Sequence, residues 1–116
     1  MFAPIAASVS AQSTEIRGEV SFKGGLAIPE GHIGIYLEDP SEQDSTRRSI
    51  AETGVESDGK STEIVFAISR PESATVSPRL QIVVRLERAD GWLIARGSAR
   101  PGASSAVRVT LSKVIY

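Results

Sequence analysis

Few side chains in this sequence could do chemistry. Its 116 residues include a single His and no Cys. That excludes a thiol nucleophile, a disulfide and a thiolate metal site. Nucleophilic catalysis needs a nucleophile held beside a base. A Ser-His-Asp arrangement would have to use His32, at the head of an apolar alternation, and no Gly-x-Ser-x-Gly elbow accompanies it. His32 therefore reads as a surface residue at a loop end. Glu38, Asp39, Glu42 and Asp44 gather carboxylates over a short stretch. A calcium ion wants several such oxygens, but the spacing is not that of an EF-hand and Pro40 interrupts it. A solvated loop with an Asx-type turn at Asp39 fits better. Lys23-Gly24-Gly25 and Gly31-His32-Ile33-Gly34 lack the spacing and the following helix of a phosphate cradle. No catalytic residue, no metal and no cofactor is expected.

Binding residues are easier to nominate. Trp92 follows an Asp90-Gly91 turn signal. It either caps one end of the core or stands half-exposed as an aromatic anchor for a partner. Tyr36 alternates against Ile35 and Leu37, which points it to the exposed side of its sheet. Tyr36, Arg85, Trp92 and Arg96 are the candidate contacts. Val65 and Val83 also fall on the nominally outer face, as scattered exposed apolar residues often do.

The formal net charge is −1, which argues against nucleic acid as a general partner. With three Phe and one Trp, no aromatic platform for stacking bases stands out. The charge is unevenly spread. Residues 1–78 carry 6 Lys/Arg against 12 Asp/Glu, and residues 79–116 carry 7 against 2. Either strands of opposite sign lie side by side with cross-strand pairs, or the last strands present a basic face to an acidic partner or anionic lipid heads.

The elements that must hold these residues alternate with period two. Ile16, Gly18, Val20 and Phe22 alternate with Arg17, Glu19 and Ser21. After the Lys23-Gly24-Gly25 break, Leu26 and Ile28 are expected to pack in a connector that Pro29 keeps out of any ladder. Ile33, Ile35 and Leu37 make a second strand, and Arg47 to Val55 a weaker third. Ser57-Asp58-Gly59-Lys60 is a hairpin signal. It leads to Thr62–Ser69, with Ile64, Phe66 and Ile68 inward and Val65 half-covered. After the break from Arg70 to Pro78, where a single helical turn near Glu72 is possible, Leu80, Ile82, Val84 and Leu86 alternate most cleanly. Trp92 to Arg100 and then Val107, Val109 and Leu111 complete the set. The expected fold is all-β, an antiparallel β-sandwich or small barrel of about seven strands.

Residues 1–14 read differently. Met1 to Ala11 is small, apolar and uncharged, and Val9-Ser10-Ala11 has the form of a signal-peptidase site, without a basic n-region. The expectation is a residual signal-peptide-like or disordered tail at 1–14 and a single β-sandwich domain at 15–116. No later stretch approaches the roughly 18 apolar residues of a spanning helix.

Several residues in order resemble a known family. They are Gly18-Glu19-Val20, Leu26-Ala27-Ile28-Pro29, Ile35-Tyr36-Leu37-Glu38-Asp39-Pro40-Ser41 with Asp44, Val76-Ser77-Pro78, Leu80 to Leu86, and Asp90-Gly91-Trp92-Leu93. Their order and spacing is similar to the YbaY/YscW group of small bacterial envelope lipoproteins, which includes pilotins of type III secretion. The resemblance spans about residues 15–114. It implies an exported, periplasmic β-sandwich without enzymatic activity. It also departs from the group, whose lipid-modified Cys has no counterpart in this sequence, which leaves open whether a member of this kind is anchored through a lipid or is soluble.

Taken together, the expected function is a non-enzymatic periplasmic binding or assembly module. It would be a pilotin-like chaperone of an outer-membrane protein, through a secretin-like peptide, or a binder of a lipid-like ligand. An exposed edge strand would take an extended peptide, and a gap between the layers would take an acyl chain. The alternative is a structural, self-associating envelope domain without a dedicated ligand.

Overall fold

A computed structural model describes residues 15–39, 49–70, 80–101 and 106–115. Seven strands run through them: β1 (Glu15–Phe22), β2 (Gly31–Glu38), β3 (Ser49–Ser57), β4 (Glu63–Ser69), β5 (Gln81–Glu87), β6 (Leu93–Ala99) and β7 (Ala106–Lys113). Each follows from its alternation. β1 buries Ile16, Gly18 and Val20 and exposes Glu15 and Arg17. β5 buries Ile82, Val84 and Leu86 and exposes Arg85 between them. The core unites these with Ile33, Ile35 and Leu37 of β2, Phe66 and Ile68 of β4, and Val109 and Leu111 of β7. Burying each such side chain is worth about 1.5–3 kcal/mol.

The strands form one sheet in the order β3-β2-β5-β6-β7-β1-β4. β2 pairs antiparallel with both β3 and β5, and β5 pairs antiparallel with β6. β6 pairs in register with β7 at Ala95↔Lys113 and Arg96↔Ser112. Nearer its start, β7 runs beside β1 instead, from Arg17↔Ala106 to Phe22↔Leu111. β7 thus passes from one half of the sheet to the other. Gly97 allows the approach there, because a Cβ on it would lie 2.3 Å from the Thr110 carbonyl oxygen. The end strands β3 and β4 come close to each other without a ladder, so the sheet nearly closes into a barrel.

In two respects the strands connect differently from the expectation. The β1–β7 pair is parallel, while every other pair is antiparallel. The Asp58-Gly59 turn forms, with Gly59 at φ +81, but it does not make a hairpin. Its polar groups are committed elsewhere. Asp58 Oδ1 accepts the Lys60 N–H at 2.8 Å and the Ser61 N–H at 3.3 Å. The Ser61 carbonyl accepts the Ile28 N–H at 2.8 Å. The buried Ser57 hydroxyl donates to the Ile28 carbonyl at 3.1 Å. The chain therefore turns a corner, stitched to the connector after β1, and β3 and β4 become the two edges of the sheet.

Two burial expectations change as well. Ile28 is fully buried, but Leu26 is 62% exposed. It follows Gly24 and Gly25, whose positive φ angles turn the chain outward before Ile28 returns to the core. Val65 is 72% exposed, because an edge strand covers its outer face from one side only. The tail at 1–14, Glu42 and Asp44, and the turn near Glu72 lie outside the described residues.

Candidate functional surfaces

Strand register decides which of the candidate residues meet. Tyr36 pairs with Val83, which pairs with Ser98. One row along, Gly34 pairs with Arg85, which pairs with Arg96, which pairs with Ser112. The two rows lie on the outer face. Tyr36 lies along its own strand over Gly34: a Cβ there would be 2.6 Å from the Tyr36 hydroxyl and 3.0 Å from its ring. Gly34 is therefore buried although it faces outward. The Tyr36 hydroxyl thus sits above the residue paired with Arg85.

Arg85 and Arg96 are both exposed and stand directly opposite each other. Such positions hold their Cβ atoms about 4.5–5.5 Å apart, and like charges there destabilise the pair. Arg85 pairs with Glu87 at 3.5 Å. A groove beside them is lined by Val83, Arg96, Ser98, Lys113, Val114 and Ile115, among others. Three of the four residues nominated from the sequence thus share one face.

Trp92 lies elsewhere. Leu93 pairs with Glu87, and about 13 Å of strand separates Glu87 from Val83, the partner of Tyr36. Trp92 is 52% exposed on the turn that joins β5 to β6. That turn closes through the Arg88 N–H to the Trp92 carbonyl at 2.9 Å and the Gly91 N–H to the Arg88 carbonyl at 2.8 Å. Asp90 Oδ1 accepts the Trp92 N–H at 3.1 Å, and Arg88 pairs with Asp90 at 2.6 Å. The Arg88 guanidinium, helped by that backbone N–H, holds the Asp90 carboxyl down to about 2. Asp90 in turn raises the Arg88 guanidinium above its ordinary value. The Lys60 N–H lowers Asp58 in the same way.

A second surface escaped the sequence reading. The outer face of β7-β1-β4 carries a groove lined by Arg17, Glu19, Val65, Ala67, Ala106 and Arg108, among others. Its middle is low because Ala67 and Ala106 both stand opposite Arg17 in register. Arg108 reaches Glu19 across the strands at 3.4 Å, a cross-strand charge pair of the kind the uneven charge suggested. Val65 was the one visible signal. The parallel pairing that brings Ala106 and Arg108 into the same groove has no local signature.

His32 is exposed, and its Nδ1 lies 2.5 Å from Glu56 Oε2. Its ring covers Gly54, where a Cβ would come within 2.8 Å. Among the described residues no group of three or more His, Asp or Glu is placed to hold a metal ion, and no helix is long and apolar enough to cross a membrane.

No family model and no curated protein matches the chain. Among solved structures, it is similar to an alternative pilotin from the type II secretion system of Vibrio cholerae. The TM-score is 0.66 at 22% identity, over 88% of this chain and 97% of that one. The two share a fold across nearly their whole lengths, and the fold of this chain is pilotin-like.

Proposed function

We propose that the protein is a non-enzymatic, pilotin-like module of the periplasm that holds an extended segment of an outer-membrane partner of the secretin kind. Membership of the YbaY/YscW group goes with that reading. The observation that carries it is the full-length likeness to a pilotin. The surfaces agree with it. Tyr36, Arg85, Arg96 and both grooves lie on the outside of the sheet and Trp92 on an exposed turn, while the space between the layers is filled by fully buried aliphatic side chains. An acyl chain between the layers is therefore disfavoured. Among the described residues no strand covers the outer edge of β4 beside the Val65 groove, and an added strand would pair there.

The test is a photo-crosslinking amino acid at position 65, followed by capture from envelope extract and mass spectrometry. The expected result is a crosslink to an outer-membrane protein, abolished by Val65→Lys placed beside a crosslinker at position 67. A crosslink to a second copy of the same chain would instead establish the self-associating domain. Crosslinking at position 52 on the β3 edge, with none at 65, would overturn the choice of edge.

A further inference from the structure

We infer that the outer face of β5, β6 and β7 docks on an anionic membrane surface, with Arg85 and Arg96 on lipid phosphate and Ile115 at the acyl boundary. This inference stands apart from the partner held at β4, because it uses the other half of the sheet.

The charge asymmetry of the sequence becomes a contiguous face. β5, β6 and β7 are neighbours in the sheet, and Glu87 is the only carboxylate on them. Arg85 and Arg96 are paired in register across β5 and β6. Two like charges facing each other are unfavourable, and Glu87 sits beside Arg85 alone, at 3.5 Å, so a further anion would relieve the pair. A phosphate is suited to this, because each planar guanidinium donates two parallel N–H bonds to its oxygens. Hydroxyl-bearing Ser98 and Ser112 line the groove with Arg96, and Lys113 adds a further exposed cation there. Arg96 and Lys113 have no ion pair among the described residues.

The apolar part decides between a lipid surface and an acidic peptide. Ile115 is 93% exposed, and it is held beside the cations. The Val114 N–H donates to the Ile94 carbonyl of β6 at 3.0 Å, which holds Val114 against this face. A row of cations next to an exposed aliphatic residue matches the order of a lipid surface, phosphate above acyl chain.

The test is co-sedimentation of the purified full chain with vesicles of phosphatidylcholine alone and vesicles that also contain phosphatidylglycerol. Binding is expected only with phosphatidylglycerol, and it should weaken as salt is raised. Each cation near an anionic surface contributes roughly fivefold to partitioning. Arg85→Gln with Arg96→Gln should therefore lower it about 25-fold. Ile115→Ser should weaken binding while leaving its dependence on phosphatidylglycerol intact. Far-ultraviolet dichroism checks that each variant is folded, and these exposed positions do not enter the core. Equal partitioning to both vesicle types would overturn the inference, and so would wild-type binding by the double arginine variant. Tight binding of inorganic phosphate or of an acidic peptide without vesicle binding would overturn it too, and would reassign the arginine pair to that ligand.

Discussion

Replacing Gly18 with alanine should destabilise the fold through a single contact. Gly18 lies on the inner side of β1, between β4 and β7, paired with Phe66 and with Val107. A Cβ built on it lies 2.4 Å from Phe66 Cζ, 2.7 Å from Phe66 Cε2 and 2.8 Å from Val107 Cγ1. Carbon atoms in ordinary contact stay about 3.5–4.0 Å apart. The new methyl group therefore overlaps the ring by more than an ångström. Phe66 is nearly buried and has little room to swing aside. Gly18 is not among the glycines with positive φ, so alanine meets no backbone penalty and the loss in the folded state is steric.

Overpacking of this kind costs about 1–3 kcal/mol. Restricting the unfolded chain gives back about 0.4–1 kcal/mol. The expected net loss for Gly18→Ala is about 1.5 kcal/mol, or a fall in Tm of about 6 °C for a chain of this size. Phe66→Leu alone should lose about 1–2 kcal/mol by leaving a cavity. In the double variant the methyl group partly refills that cavity. The two losses should then fall short of additive by about 1 kcal/mol. Chemical denaturation of the four proteins in the cycle measures this. A Gly18→Ala protein within 0.5 kcal/mol of wild type, or strictly additive losses, would show that the Phe66 ring does not lie across Gly18.

Ser57→Ala should cost about 1–2 kcal/mol, because it strips a hydroxyl donor from the Ile28 carbonyl at a buried site; thermal denaturation reads this directly. Asp90 has a folded-state pKa of about 2, below its ordinary unfolded value of about 3.9. Its stabilising effect is therefore complete above about pH 4 and is lost as the pH falls toward 2. Asp90→Asn should melt below wild type at neutral pH, and the gap should close over that acid window. Arg96→Glu should stabilise the fold slightly, by about 0.5 kcal/mol at low salt, since it turns a repulsion across β5 and β6 into an attraction. Raising the salt should erase that gain, and a destabilised variant would mean that the two guanidinium groups do not face each other.

All seven strands were legible in the sequence because alternation is a local property. Leu80, Ile82, Val84 and Leu86 could face only one way, and so could Ile33, Ile35 and Leu37. The turns at Asp58-Gly59 and Asp90-Gly91 were legible for the same reason, since the side chain and the glycine act within a few residues. Pairing was not legible. Period two says which face a residue takes, but not which strand lies beside it or in which direction. The parallel β1–β7 pair and the unpaired β3 and β4 edges therefore came only with the structure. The candidate surface divides along the same line. The outward positions of Tyr36, Arg85 and Arg96 could be read from parity. Their adjacency depends on a register that joins residues about 50 positions apart in the chain, and Trp92 was separated from them by that same register.

The two edges of the sheet are built differently, and the difference bears on function. β3 carries Glu52 and Glu56 at exposed positions, and its pairing with β2 slips at Leu37 and Glu38. Charge and irregular pairing are the usual means by which an edge resists unwanted strands. β4 has neither device along its middle. From Ile64 to Ile68 it contains no charge and no proline, its register with β1 is unbroken, and Val65 stands exposed beside a groove. Closing the barrel through a β3–β4 ladder would have hidden both edges, but the Asp58 corner and its bonds to Ile28 hold them apart. The same few hydrogen bonds that complete the core at Ser57 thus leave one regular, uncharged edge open. That opening is where the added strand of the proposed partner would pair.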